Sequence, residues 1–221
     1  MFNPKITKEE VNLMPVVVFD GKITLIDEES QVIQAINELY QSPIVGVDTE
    51  TKPSFARGTH HKVSLVQIST LDHCYLFRLN KIGFPPELAH FLASEKVKKI
   101  GLALRDDFSG LNKITPFKPQ NFVDIQTIVH NYGIFELGLQ KIFAIIFNRK
   151  ISKNQRLTNW EINDLTEQQQ RYAATDAWAS LLIYEQFIRE KMLTTDELKA
   201  LVQEMNGSKS ETDNANETEL A

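Results

Sequence analysis

The chain has 221 residues, of which 42% are hydrophobic and 24% charged, and its formal net charge is −5. This length is ordinary for one domain that buries its own core. Its single cysteine, Cys74, excludes an intrachain disulfide and a cysteine-rich zinc site. No apolar run approaches the ~20 residues that span a bilayer. Residues 1–10 show no hydrophobic signal-peptide region, so we expect a cytoplasmic protein with no membrane partner.

The negative charge is concentrated at the C-terminal end. Residues 196–221 contain seven acidic residues and two lysines, a net charge of −5, so residues 1–195 sum to zero. The segment from Asn206 onward is polar with almost no apolar residue, which predicts a disordered tail. Because the body is neutral, the overall charge does not exclude a nucleic-acid partner.

The pattern of apolar residues predicts the elements in chain order. Two β-type runs at 16–19 and 23–26 flank Asp20-Gly21, a turn signal for a hairpin. A helical stripe at 32–40 completes a strand–helix lead-in. Strands follow at 44–50, 63–68, 73–79, 99–104 and 122–125, with helices at 87–93, over most of 126–147 and at 166–192. This order predicts an α/β protein with a mixed five-stranded sheet flanked by helices. We therefore divide the single domain into a lead-in (1–43), a core (44–195) and a tail (196–221).

The strand Ile44–Glu50 ends in two carboxylates. Asp48 and Glu50 are two residues apart, so their side chains point to the same face of the strand. Two like charges at the edge of an apolar layer repel each other unless a proton or a divalent cation intervenes. The alternative is that the strand runs into solvent and both acids are fully hydrated.

Two further acids are expected near this strand end. Asp106 and Asp107 follow a strand at the start of a helix, where capping of the helix is the alternative role. On the long helix, Tyr172 and Asp176 are four residues apart and share a face with core positions. A buried structural aspartate is the alternative there. Four acids without a cysteine–histidine cluster indicate an all-oxygen site for Mg²⁺ or Mn²⁺.

Three motifs resemble those of the DEDDy 3′–5′ exonucleases, in particular the RNase D-like group and the exonuclease domain of the Werner-syndrome helicase. The first is Val47-Asp48-Thr49-Glu50, followed by the strand Lys62–Ile68. The second spaces Gly101, Asp107 and Leu111, which selects Asp107 over Asp106. The third is Tyr172-x-x-x-Asp176. The chain departs from the family after Trp160, where an Arg-Pro pair is often found.

The resemblance implies an RNase H-like fold and a two-metal mechanism that releases nucleoside 5′-monophosphates from DNA or RNA with a free 3′ end. Asp48 would bridge two Mg²⁺ or Mn²⁺ ions, Glu50 and Asp176 would complete one site, and Asp107 would act mainly through water at the other. Tyr172 would hold the attacking water. The predicted nucleic-acid contacts are Thr49, Arg57, Lys62, Arg156 and Trp160, with a solvated charged surface as the alternative for the cations.

Two other functions stay open at this stage. A module on the same fold could bind nucleic acid after losing activity, although all five expected catalytic residues are present. A metal-dependent phosphohydrolase of free nucleotides is the second alternative. The cations of 51–62 and 150–156 favour a polymer, since they could contact several phosphates. The sequence decides neither the preference for DNA or RNA nor the oligomeric state.

Overall fold

The computed structural model describes residues 2–54 and 61–218, with side chains described as far as Gly207. A six-stranded mixed sheet has the order β2-β5-β4-β3-β6-β7. The antiparallel pairs are β3–β4 and β4–β5, and the other neighbours are parallel. The strands are β1 Val16–Val17, β2 Lys22–Ile26, β3 Ile44–Thr51, β4 Val63–Ser69, β5 His73–Phe77, β6 Lys98–Gly101, β7 Phe122–Asp124 and β8 Lys150–Ile151.

The predicted α/β class with a mixed sheet is confirmed, but the predicted number of five strands is wrong because β2 adds a sixth. β2 pairs in parallel with β5 instead of forming a hairpin with β1. β1 pairs in parallel with β8, in a separate two-stranded sheet. The expected turn is held by a helix: the buried Phe19 N–H donates to Thr175 Oγ1 at 2.9 Å, and Arg171 donates to the carbonyls of Phe19 and Gly21. These contacts separate the two strands.

Helices cover both faces of the sheet. Those with described bounds are α1 Lys8–Leu13, α2 Val32–Leu39, α3 Leu79–Ile82, α4 Pro86–Leu92, α5 Leu104–Asn112, α6 Ile125–Ile128, α7 Leu139–Phe147, α8 Glu167–Phe187 and α9 Thr195–Thr218. The apolar residues of α2, α3 and α4 share one core with the sheet. The other face packs against α8, and α7 packs against α8 in turn.

A glycine allows α8 to lie directly on the central strand. A Cβ atom at Gly46 of β3 would lie 1.9 Å from the carbonyl oxygen of Ala177 in α8, so no larger residue fits without moving one of the two elements. Small residues at 173, 174 and 177 continue this close contact, and all three are fully buried. The strand that carries Asp48 and the helix that carries Asp176 are therefore held at the shortest separation that their backbones permit.

The C-terminal segment differs from its prediction in secondary structure. Helix α9 extends through the segment expected to be disordered, as far as Thr218. Its start is capped by Thr194, whose N–H donates to Glu197 Oε2 at 2.6 Å and whose hydroxyl accepts from the Glu197 N–H at 3.3 Å. The residues that follow, from Leu198 to Met205, include strong helix formers, and the helix continues from them into the polar segment. The proposed division at residues 43 and 195 stays a prediction.

Within 2–54 and 61–218, no helix is long and apolar enough to cross a membrane.

Candidate metal centre and nucleic-acid interface

Three carboxylates meet between β3 and α8. Asp48, Glu50 and Asp176 each offer a carboxylate oxygen, and these oxygens all lie within 4.8 Å of one another. Asp48 and Glu50 share a face because side chains alternate along a strand, and this face is the one covered by α8. Asp176 is only 8% exposed. The predicted convergence of two strand acids with one helix acid is therefore present in the structure.

The mutual proximity of these acids disfavours their charged forms. Burial, followed by the neighbouring charges of Asp176 and Glu50, raises the pKa of Asp48 well above its ordinary value. Burial and the charges of Asp176 and Asp107 raise the pKa of Glu50 to about 9. The pKa of Asp176 is raised to about 7, mainly by burial. Such shifts are expected where buried anions lack a counter-charge, and a divalent cation would supply one.

Asp107 approaches the same site from α5. Its carboxylate accepts a hydrogen bond from the hydroxyl of Thr49, the residue between the two strand acids. Burial raises the pKa of Asp107, and its charge in turn raises the pKa of both Asp48 and Glu50. Asp106, by contrast, is exposed. The geometry thus agrees with the choice of Asp107, which lies beside the three clustered acids and outside the 4.8 Å group.

A further acid, Asp124, was missed by the sequence analysis. Its carboxylate accepts hydrogen bonds from the backbone N–H groups of Ala103 and Leu104 at 3.0 and 2.9 Å. Ala103 has a φ of 60°, in the left-handed region that is unfavourable for a residue with a Cβ. The same carboxylate caps α6 through the Gln126 N–H at 2.9 Å. Asp124 therefore fixes the start of α5, three residues before Asp107, through partners 20 residues away in sequence.

Tyr172 lies one turn before Asp176 on α8. Burial and the nearby acids raise the pKa of its phenol, and its hydroxyl interacts with the Asp176 carboxylate. One face of its ring is limited by Trp160, with centroids 6.1 Å apart. The phenol is therefore neutral, confined by packing, and able to donate a hydrogen bond at the acidic cluster.

The acids open into a cavity of about 350 Å³. The segment after β8 also lines it, through Ser152, Lys153 and Arg156. The charge of Arg156 lowers the pKa of Glu50 and of Asp176, and that of Lys153 lowers the pKa of Asp176. A phosphate in this cavity would therefore have both acids and cations around it.

The predicted nucleic-acid contacts have different outcomes. Thr49 and Arg156 line the cavity. Lys62 is exposed but is not among the lining residues. The prediction for Arg57 falls outside the described residues.

The prediction for Trp160 is wrong as a surface contact, because the side chain is fully buried. Two long side chains hold the chain segment around it. Arg78 donates to the carbonyl oxygens of Ile162 and Asn163, and Gln169 donates to the carbonyl of Asn159 at 3.3 Å. Trp160 therefore supports the Tyr172 ring from inside the protein.

The donor chemistry fits hard divalent cations. Carboxylate oxygens are the ligands that Mg²⁺ and Mn²⁺ prefer, and the described residues gather no cysteine or histidine at the cluster. Burial raises the pKa of all three carboxyl groups, and neighbouring acids add to the shift for Asp48 and Glu50, so a bound cation would favour their charged forms. Fold and cluster together define the class: a mixed α/β domain with a cluster of carboxylates that could hold a metal ion.

The chain belongs to the 3′–5′ exonuclease family, whose model matches residues 23–193. The mouse bifunctional 3′–5′ exonuclease/ATP-dependent helicase WRN is 29% identical over 153 residues, which are 66% of this chain and 11% of that protein. This confirms the resemblance found in the motifs. The chain spans about half or less of the length of the first curated relatives that it matches.

Solved structures show the same fold. The EXO domain of Aedes aegypti Nibbler superposes with a TM-score of 0.71 at 22% identity, covering 84% of this chain and 99% of that one. Escherichia coli RNase D superposes with a TM-score of 0.69 at 21% identity, covering 81% of this chain and 46% of that one. These similarities confirm the predicted RNase H-like architecture.

Proposed function

We propose that this chain hydrolyses single nucleotides from the 3′ end of DNA or RNA and releases nucleoside 5′-monophosphates. The observation that carries the proposal is the meeting of Asp48, Glu50 and Asp176 within 4.8 Å, in a cavity that Lys153 and Arg156 also line. A terminal phosphodiester bound there would have the acids and the cations around it. The family membership agrees with this chemistry.

Two Mg²⁺ or Mn²⁺ ions are part of the proposal. Asp48, Glu50 and Asp176 would hold them, with Asp107 contributing from α5 mainly through water. When bound, the cations supply Lewis acidity for the attacking water and for the leaving 3′ oxygen. Carboxylates suit this task because they neutralise cations while leaving coordination positions free for phosphate oxygens.

The protein's own side chains then have separate roles. Tyr172 would hold the attacking water through its neutral phenol, which lies beside Asp176. Lys153 and Arg156 would orient the non-bridging phosphate oxygens. Trp160, fully buried next to the Tyr172 ring, would contact no substrate. Positioning of the phosphodiester thus comes from the wall after β8, and positioning of the water from α8.

The test uses 5′-labelled single-stranded, duplex and recessed DNA and RNA, with Mg²⁺, Mn²⁺ or EDTA, and product ladders as the readout. Wild-type protein should produce a ladder of strands shortened from the 3′ end with either metal and none with EDTA. Asp48→Asn should abolish the ladder while the protein keeps a cooperative melting transition. Turnover in excess EDTA would contradict the proposal.

A matched pair tests the register of the fourth acid. Asp107→Ala should lower the rate severely, because Asp107 reaches the cluster through Thr49. Asp106→Ala removes the same charge one residue away, from an exposed position, and should have little effect. The reverse order would show that the wrong aspartate was assigned.

The same assay separates the alternatives. A lapsed binding module would bind strands without shortening them, and a nucleotide phosphohydrolase would act on free nucleotides and leave strands intact. No observation on the described residues favours either. The cytoplasmic location expected from the sequence also stays a proposal.

A further inference from the structure

A second groove adjoins the catalytic cavity. It has a volume of about 730 Å³ and shares Gln140, Ile151, Ser152 and Lys153 with that cavity. Its remaining walls come from α1, the start of β1 and α7, so the segment after β8 lines two neighbouring spaces. A strand whose end lies in the catalytic cavity would have this groove beside it on the other side of that segment.

The groove is lined by cations. Lys8, Lys141, Lys150 and Lys153 line it, and no acidic residue is among its lining residues. Only Lys141 is neutralised by an ion pair, with Glu136 at 2.9 Å. Lys150 donates to the backbone carbonyl of Asn12 at 2.5 Å and forms no ion pair among the described residues. Over the described parts of the chain, Lys8 and Lys153 form no ion pair with an acid.

The outer wall of the groove is built by the first residues of the chain, which we call the N-terminal arm (residues 2–17). These residues precede the part matched by the family model, which starts at residue 23. The arm is nevertheless held firmly. The Phe135 N–H donates to the Pro4 carbonyl at 2.7 Å, the Lys150 N–H donates to the Pro15 carbonyl at 3.0 Å, and β1 pairs with β8. Val11 is buried, at 3% exposure.

We infer that the N-terminal arm completes a binding groove for the single strand that lies 5′ of the scissile nucleotide. The inference rests on the proposed function, because a 3′ exonuclease holds the terminal nucleotide at the metals and the rest of the strand extends to its 5′ side. Lys8, Lys150 and Lys153 line the groove and form no ion pair among the described residues, which suits binding to several backbone phosphates. A free nucleotide would occupy the catalytic cavity alone and leave this groove unused.

Binding measurements test the groove directly. Fluorescence anisotropy would compare labelled dinucleotides and 12-nucleotide single strands of DNA and RNA, on the Asp48→Asn background so that no strand is cleaved. Lys8→Glu should weaken binding of the 12-nucleotide strands roughly three- to tenfold, from the usual strength of exposed charge pairs and the reversal of sign. It should also weaken the salt dependence of binding. The slope of the logarithm of the binding constant against the logarithm of the salt concentration should become smaller in magnitude by about 0.7 for each phosphate that the variant no longer neutralises. Dinucleotide binding should not change.

Lys5→Glu is the matched control, since Lys5 is exposed on the same arm and does not line the groove. It changes the net charge by the same amount, so it should alter 12-nucleotide binding clearly less than Lys8→Glu does. Both variants should keep the wild-type melting temperature, because a glutamate at the first residue of α1 is favourable and Lys5 is exposed before that helix. Lys8→Ala, with the smaller charge change, should give an intermediate loss.

Equal effects of the two charge reversals would overturn the inference, since only bulk charge would matter. An equal loss for dinucleotides and 12-nucleotide strands would also overturn it, because the arm would then only support the catalytic cavity. Hydrolysis of the p-nitrophenyl ester of thymidine 5′-monophosphate reports on the proposed chemistry without the groove. If it fails while Lys8-dependent binding persists, the proposed function is wrong and the groove stands. If the ester is hydrolysed but strand binding does not depend on Lys8, the proposed function stands and the inference about the groove is wrong.

Discussion

The hydroxyl of Thr49 donates a hydrogen bond to the carboxylate of Asp107 and so joins the central strand to helix α5. Neighbouring residues of a strand point to opposite faces. Thr49 therefore reaches Asp107 while Asp48 and Glu50 on either side of it meet Asp176. The segment Asp48-Thr49-Glu50 therefore presents two acids on one face of the strand and, on the other, the hydroxyl that binds Asp107.

Replacing this hydroxyl should lower activity without damaging the fold. Thr49→Val keeps the shape of the side chain but removes its hydrogen bond to Asp107. Among the described side chains, Thr49 alone lowers the pKa of Asp107 by a hydrogen bond. A hydrogen bond to a charged group contributes about 1.5–3 kcal/mol, so the rate should fall roughly ten- to a hundredfold. Thr49→Ser restores the donor and should recover most of the rate. Steady-state rates at saturating metal decide it, and a wild-type rate for Thr49→Val would remove Thr49 from the site.

Stability of the metal-free protein should fall as the pH rises. The pKa of Glu50 moves from 4.5 to about 9 and that of Asp176 from 3.8 to about 7. In this window the unfolded chain has released protons that the folded chain still holds, so the free energy of unfolding decreases with increasing pH. In EDTA, the melting temperature should therefore decline between about pH 4 and 9.

Metal should reverse this trend. Cations bind the deprotonated acids, so Mg²⁺ should raise the melting temperature more at about pH 8 than at about pH 5.5. Asp176→Asn should flatten the decline in EDTA and reduce the effect of Mg²⁺. Asp106→Asn, at an exposed position, is the control and should behave as wild type. A melting temperature in EDTA that rises with pH would contradict the raised pKa values.

The sequence predicted those features that depend on a local pattern of residues or on the motifs of a known family. The strand 44–50 and the long helix follow from periodicity, and three ordered motifs located the acids of the cluster. Long-range contacts escaped prediction. The turn signal Asp20-Gly21 suggested a hairpin, but Arg171, 150 residues along the chain, binds the Gly21 carbonyl. Trp160 looked like a surface aromatic because nothing nearby in sequence reveals the Arg78 contacts that bury the segment.

The role of Asp124 near the carboxylate cluster also depends on long-range contacts that the sequence did not predict. As an isolated aspartate before a helix it reads as a cap, and its links to Ala103 and Leu104 cross about 20 residues. Asp124→Ala should loosen the start of α5, which carries Asp107, and destabilise the protein by roughly 1–3 kcal/mol through the unpaired N–H groups. Activity should then need a higher metal concentration. Asp124→Asn keeps one acceptor oxygen and should recover part of both effects. A loss of stability with an unchanged metal titration would mean that Asp124 supports the fold alone.

Tyr172 provides the sharpest test of the proposed chemistry. Tyr172 lines the cavity beside Asp176, and its ring lies next to that of the buried Trp160. If the ring served packing only, Tyr172→Phe would be nearly silent, since the ring is retained. If the hydroxyl positions the attacking water, its loss removes one preorganised hydrogen bond. Such bonds contribute about 2–4 kcal/mol to transition-state stabilisation, or roughly 10²–10³ in rate.

Single-turnover rates at saturating metal separate these two roles of Tyr172. Tyr172→Phe should lower the rate of the chemical step and leave the affinity for the strand almost unchanged, because the interaction strengthens in the transition state. The melting temperature is the necessary control, since the hydroxyl also interacts with Asp176. A slow variant that melts like the wild type and binds strands equally well assigns the loss to the hydroxyl's role in the reaction. Equal single-turnover rates would exclude that role and leave Tyr172 as a packing residue.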